Sequence, residues 1–449
     1  MAQENNAAAN AVANIYRTPE LWQKITFTFL CLVIYRVGAH ITAPGIDVQA
    51  LTDFFARQGT GGGLLGLYDM FVGGGLSRAT VFALGIMPYI SASIFVQIGG
   101  AVLPTVDKMQ KDEEGRKKLT QYTRYLTVVL ALVQAYGFAL FTSSLVGAVS
   151  RPGPMFIIQM MLFLTIGALF VMWLGEQITE RGLGNGASLI IFFSIVQGMW
   201  PAMLQTIGFV STGVVAPLAL VVLALVMVGV VAGVVAITVA ARRVLIQIPQ
   251  RTMARGRQRE AARNFIPLRI NTAGVMPIIF AQSVIVIPGM FAQFSGNARA
   301  QEWAEMFNPL GPNPWLYFVV SAVLILLFTY FYTSIIFNPV DLAENLKKQG
   351  GFVPGIKPGA KTAEYIEQIV ERITLPGALF LTFIALMPTI IALLINVPFA
   401  FGGTSLLIVV GVALDTMAQM QQHLLLRKYD GFMKKGRVRF RGRQTSTGF

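Results

Sequence analysis

Few side chains in this sequence have the types and spacing that chemistry needs. The single cysteine, Cys31, sits inside an apolar run, and His40 and His423 stand near opposite ends of the chain. With no Cys/His grouping, neither a disulfide framework nor a metal site is expected. No zinc motif, serine elbow or phosphate-binding glycine loop is found, so no enzymatic reaction and no cofactor is expected. Ion coupling would need a charged side chain near the bilayer centre. The nearest acids, Glu176 and Asp415, lie toward the inner ends of their apolar runs, where capping or an ion pair accounts for them. Arg36 lies where its long stem can snorkel outward. What remains is apolar: aliphatic residues deep in long runs, and one short segment, GGGLLGLYDMFVGGGL at 61–76, whose single acid is Asp69.

Membrane helices must position these residues. The chain has 449 residues, 55% hydrophobic and 12% charged, and its apolar runs recur at spanning length. Ten spans are read, at 22–42, 77–103, 120–147, 155–179, 186–208, 214–241, 271–293, 315–337, 373–395 and 400–426. Residues 1–20 are polar and lack a basic stretch before an apolar one, so no cleavable signal peptide is read there. The net charge of +14 is not spread evenly. Of 35 basic residues only Arg36, Arg57, Arg78, Arg151 and Arg299 fall on one side, which by the positive-inside rule is the outer one. Both termini are then cytoplasmic.

This divides the chain into a cytoplasmic segment 1–21, an N-terminal half 22–208, a hinge loop 209–213, a C-terminal half 214–426 and a basic tail 427–449. Five spans per half force the halves into opposite orientations, as in inverted-repeat transport proteins. The longer cytoplasmic stretches are 104–119, 242–270 and 338–372, and the second is strongly basic: residues 242–269 hold eight arginines and one acid, Glu260.

An apolar waist can exclude ions by dewetting and still yield to a bulky solute. Ile86 lies nine residues inward of Ser77, and Ile279 eight residues inward of Asn271. At roughly 1.5 Å per helical residue these are depths of about 13 and 12 Å from opposite faces, against an apolar core about 30 Å thick. Depth follows from spacing; convergence on one axis does not. A passive conduit and a small-solute secondary transporter of inverted-repeat type both stay open at this point.

Four strings narrow the choice: SRATVFALGIMPYISASIFVQ (77–97), WLGEQITERGLGNGASLIIF (173–192), NLKKQGGFVPGIKPGAKTAEYI (345–366) and FGGTSLLIVVGVALD (401–415). They resemble bacterial SecY, the channel-forming subunits of the Sec protein translocase, and the resemblance runs from about Ile15 to Lys435. It implies an all-α polytopic membrane protein, with ten transmembrane helices in two inverted five-helix halves around a central hourglass pore. It further implies a plug helix and a lateral gate between spans 2 and 7, helped by spans 3 and 8. Matched motif by motif, the pore ring would be Ile86, Ile90, Ile191, Ile279 and Ile408. Ala187 and Met276 stand at adjacent ring positions where the family often has isoleucine. Leu64, Leu65, Leu67, Met70 and Phe71 would form the plug beneath the ring, hinged at glycines 61–63 and 73–75.

The same resemblance implies partners: SecE and SecG subunits, the SecA ATPase, the ribosome, signal sequences and nascent polypeptides, and membrane lipid at the gate. Arg251, Arg255, Arg257, Lys347, Lys348 and Lys357 would dock the motor or the ribosome. Lys357 stands where the family has arginine, which keeps the charge and loses the bidentate fork. The implied location is the bacterial cytoplasmic (inner) membrane. Two smaller features have structural readings: GNG at 184–186 is expected to make a tight inner turn, and Pro88, Pro277 and Pro388 to kink their spans.

Overall fold

The computed structural model describes residues 19–57, 63–213, 216–247, 264–294, 298–309, 311, 313–394 and 403–435. Helix dominates because hydrocarbon offers the backbone no partners, and a helix satisfies its donors and acceptors internally. The N-terminal half holds α1 (Pro19–Gly38), α2 (Val48–Arg57), α3 (Gly63–Val72), α4 (Met87–Val102), α5 (Pro104–Lys111), α6 (Glu113–Ser144), α7 (Pro154–Arg181) and α8 (Gly186–Ser211). The C-terminal half holds α9 (Pro217–Val239), α10 (Met276–Phe294), α11 (Ala298–Met306), α12 (Trp315–Ile336), α13 (Pro339–Lys348), α14 (Ala360–Leu394) and α15 (Gly403–Lys435), with strands β1 (Ala241–Ile246) and β2 (Asn264–Arg269) between α9 and α10. Among the described residues eight helical runs are long and apolar enough to cross a membrane, and the pair α4–α5, bent by 106°, makes a ninth if it counts as one span. The chain is a multi-pass membrane protein.

Three expectations change on folding. The second span does not run as one helix from residue 77: residues 81–86 form turns, and helix begins at Met87. Gly85 at φ +54° takes a left-handed conformation that suits glycine, and the chain before it is tied by a bridge from Thr80 to Thr42. Ile86 is therefore the residue before α4, not a point nine residues into a helix. Pro88 and Pro277 are the second residues of α4 and α10, where a missing N–H costs nothing, so they start their helices instead of kinking them. Pro388 does lie inside α14. GNG behaves as read: Gly184 has φ +77° and Asn185 caps α8 through Ser188 N–H.

The all-α class describes the membrane body; the cytoplasmic stretch 242–270 adds an antiparallel pair, with Ala241 opposite Arg269 and Ile246 opposite Asn264. Val244, Ile246 and Leu268 turn inward and join Leu346, Val353, Ile366 and Ile369 in one apolar cluster. Gln247 and Phe352 exchange two backbone hydrogen bonds, of 2.9 and 3.0 Å. The described residues 241–247 and 264–269 thereby pack with α13, residues 352–353 and the first part of α14, segments separate in sequence.

Candidate functional site

Ile90, Ile191, Ile279 and Ile408 come from α4, α8, α10 and α15, and Ile86 from the turn before α4. All five are buried, none more than 4% exposed, and all belong to one apolar cluster. β-Branching leaves such side chains few rotamers, which suits a collar that must close the same way each time. Ile90, Ile191 and Ile279 form the floor of a cavity of about 230 Å³, with Ala187 and Met276 beside them. Ile86 and Ile408 do not line it; Ile86 packs on the backbone of α7 at Gly175, which does. A second cavity of about 410 Å³ shares Asn185, Ser188, Met276 and Tyr332 with the first and runs past Asn271, Gln419 and Gln422. Both carry charged side chains at the helix ends, Arg124 and Glu176 in the first and Arg269 and Asp415 in the second.

The short helix α3 closes the other side. Leu65, Tyr68, Phe71 and Val72 pack into the same cluster as the collar, while Leu64 and Leu67 pack with Ile285, Ala304, Tyr317 and Leu386 of the C-terminal half. Met70, half-buried, receives the Ser405 hydroxyl on its sulfur at 3.7 Å. On α8 and α10 the contacts to α3 and the turn after it follow the isoleucine in chain order: Ser194 and Gln197, beside Gly73, follow Ile191, and Gly289, beside Leu64, follows Ile279. On α15 Ser405, beside Met70, precedes Ile408. Along each helix the α3 contacts and the cavities thus lie on opposite sides of the isoleucine.

Polar bonds fasten one end of α3. Tyr35 donates to Val72 O at 3.2 Å and shares a hydrogen bond with Ser194 at 2.9 Å. Gln197 donates to Gly73 O at 3.0 Å, and Tyr68 donates to Leu84 O at 2.8 Å. Asp69 accepts from Leu76 N–H at 2.8 Å and Ser77 N–H at 3.0 Å, which stitches the turn after the helix. Burial pushes the Asp69 carboxyl above its ordinary value, opposed by those donors and by the Arg78 charge. Gly73 and Gly74, at φ +72° and +77°, make the reversal itself. Every one of these partners belongs to the N-terminal half. Tyr35, Ser194 and Gln197 were invisible from sequence, because a lone polar residue in an apolar run does not announce its partner.

Of the basic residues expected to dock a partner, Lys347 and Lys348 end α13 and Lys357 follows it, all three exposed. Arg251, Arg255 and Arg257 lie outside the described residues, as do Gly61 and Gly62 of the first glycine triplet. The gate helices are in contact: α10 packs on α4 and α6, and α12 packs on α10.

Glu176 has its ion pair, with Arg124 of α6 making two hydrogen bonds to it, Nε–Oε1 at 2.9 Å and Nη2–Oε2 at 2.8 Å. The pair sits in the wall of the first cavity and ties α6 to α7. Glu176 is 12% exposed and Arg124 45%, so the two partners are not equivalent. Arg124→Ala leaves a largely buried carboxylate without its partner and is expected to cost about 1–3 kcal/mol, between the exposed and buried cases. Glu176→Gln leaves an arginine that reaches water and is expected to cost less. Thermal unfolding in detergent checks the order; equal losses would refute it.

The family described as SecY matches residues 80–417. The chain is 44% identical to the protein translocase subunit SecY of Aquifex aeolicus, over 94% of this chain and 98% of that one. Identity to the Escherichia coli K12 protein of the same name is 43%, over 94% and 96%. Among solved structures it resembles one described as a protein conducting channel, with TM-score 0.64 at 16% identity, covering 93% of this chain and 95% of that one. It also resembles Sec61 in the canine ribosome-channel complex, with TM-score 0.60 at 17% identity over 93% and 95%.

Proposed function

The chain belongs to the SecY family, and on that premise we propose that the collar of Ile86, Ile90, Ile191, Ile279 and Ile408 is the seal of its protein-conducting pathway. It is a translocase subunit and not an enzyme. The observation that carries the reading of the site is that, along α8, α10 and α15, the cavities and the fastened helix α3 lie on opposite sides of the isoleucines.

An extended polypeptide carries backbone groups that hydrocarbon cannot satisfy, and a water-filled funnel removes that penalty. Only the collar then needs to be dry, and a thin apolar ring yields to a chain while excluding ions. A signal sequence or membrane span has the opposite preference, since it gains roughly 25 cal/mol for each Å² of apolar surface leaving water. It leaves sideways between α4 and α10, the proposed lateral gate, into lipid. The plug helix covers the collar at rest; Leu64, Leu65, Leu67, Met70 and Phe71 are its packing residues.

No bond chemistry here supplies energy, so it comes from a partner on the cytoplasmic side. The exposed cations Lys347, Lys348 and Lys357, with Arg251, Arg255 and Arg257, suit acidic motor surfaces and ribosomal RNA, where each neutralised phosphate releases counterions. SecA and the ribosome are the proposed partners, the latter supported by the ribosome-bound setting of the Sec61 relative. SecE and SecG complete the complex. The proposed location is the bacterial cytoplasmic membrane with both termini inside, and the proposed halves are 22–208 and 214–426 about a hinge at 209–213. A small-solute transporter is not supported by the relatives' names.

The experiment is reconstitution with SecE and SecA in vesicles, reading ATP-dependent protease protection of a secretory precursor. Protection that needs this chain is expected. Saturable uptake of a small solute by the chain alone, without precursor movement, would refute the proposal.

A further inference from the structure

Glycines 73–75 read as a hinge in the sequence, yet in the fold they are tied down. Asp69, one turn from the end of α3, reaches across all three. Its Oδ1 alone accepts from both Leu76 N–H at 2.8 Å and Ser77 N–H at 3.0 Å. The Asp69 carbonyl accepts from Gly74 N–H at 2.8 Å, and the Ser77 hydroxyl donates to Gly74 O at 3.2 Å. Thr80 donates twice to Gly75 O, from its N–H at 2.9 Å and its hydroxyl at 3.2 Å. A Cβ at Gly75 would lie 2.9 Å from Thr80 Oγ1 and 3.0 Å from Val72 Cγ1, so this glycine serves close packing and not freedom. Thr80 is itself bridged to Thr42. The opposite end of α3 is held differently: Leu64 and Leu67 meet the C-terminal half through apolar contacts, Ile285, Tyr317 and Leu386 among them.

We propose that Asp69 is a positioning residue that makes the second glycine triplet a rigid elbow: the plug helix leaves the path by swinging about residues 69–77, its first turn moving and its last turn staying in place. This rests on the reading of α3 as the plug of a polypeptide channel, and concerns which end of it moves. Hydrogen bonds are directional, and each one broken at the elbow leaves a backbone donor unpaired. Apolar contacts are non-directional and re-form readily after sliding apart. The end held by leucines is therefore the one that yields when α10 moves. The elbow then returns that end to the same position once the transiting chain has passed.

Two substitutions at one position test the elbow in vesicles that hold the full chain with SecE and SecA. The readout is the ion leak that persists after a round of transport, once precursor and ATP are withdrawn. Asp69→Ala removes the shared acceptor and is expected to raise that leak roughly tenfold. Both bonds converge on one oxygen, so Asp69→Asn, which keeps an acceptor there, is expected to stay within about twofold of wild type. An alanine variant that reseals like wild type overturns the proposal. So does an asparagine variant that leaks as much as alanine, which would make the charge and not the acceptor oxygen decisive.

A crosslink reads the same geometry by a second route. In a Cys31→Ser background, Gly73→Cys/Ser194→Cys would place two Cβ atoms 3.3 Å apart, near the short end of disulfide spacing. The bridge ties the elbow to α8. Transport by the oxidised protein is expected to continue at about the reduced rate, because this end of α3 does not have to move. Oxidation that halts transport, with recovery in reductant, overturns the proposal, since the elbow would then have to open. A wild-type control that moves no precursor overturns the channel reading itself, and that control tells the two failures apart.

Discussion

Oxidation of a Leu64→Cys/Gly289→Cys variant, with Cys31 changed to serine, is expected to abolish precursor transport, and reductant to restore it. A Cβ at Gly289 would lie 3.7 Å from Leu64 Cβ and would overlap Leu64 Cδ1, so the leucine fills the space that glycine leaves on α10. Two cysteine Cβ atoms at that spacing meet the disulfide requirement of about 3.5–4.5 Å. The effect is expected to be all or none because α3 is already fastened at its other end to the N-terminal half through Tyr35, Ser194 and Gln197. A covalent link at Leu64 then ties the two halves together across the pathway. Parting α4 from α10 would ordinarily withdraw Gly289 from Leu64 and unseat the plug; the crosslink forbids it. Transport at the wild-type rate by fully oxidised protein would mean that α3 does not block the path.

Replacing Ile191 and Ile408 together by glycine is expected to raise ion leakage through the idle channel at least tenfold, while precursor transport continues. Each buried isoleucine contributes about 1.5–3 kcal/mol of apolar burial. Opening a gap in the collar lets water bridge the funnel to the far side, and a barrier lowered by about 1.4 kcal/mol already gives tenfold in rate. Conservative Ile→Val changes, costing about 0.5–1.5 kcal/mol each, should leak far less. Dye or ion release from reconstituted vesicles measures it. Leakage unchanged by the double glycine variant would remove the collar from the seal.

Ala187 makes a related point. It stands in the funnel wall beside Ile191, with a methyl where the family often has a branched chain. Ala187→Ile is expected to tighten the floor and to lower leakage without loss of transport, readable in the same vesicle assay.

The sequence by itself determined the class of this protein. Apolar runs of spanning length demand helices, because a lipid-exposed backbone has no other way to pair its polar groups. The clustering of arginines and lysines on alternate connections is the basis of the proposed orientation. The short segment LLGLYDMFV between glycine triplets was also legible as something other than a span, from its length alone. Pairings across the chain were not legible. The proposed collar would draw five isoleucines from four helices and a turn into one large apolar cluster, and in a chain this apolar any isoleucine could equally face lipid. Tyr35 meets Val72 and Ser194 across long separations in sequence, and Gly137 meets Phe294 across the whole hinge. Helical periodicity reports only what lies along one element. The local rule also failed where the backbone leaves helix: at Gly85 a left-handed conformation ends the turns that precede α4, and Pro88 begins a helix it was expected to bend. The small sheet beside α14 is not legible in the sequence because its strands run only six residues each and are rich in arginine. Tertiary packing alone decided which side chains share the axis, since burial against a partner, not propensity, selects among faces that are all apolar.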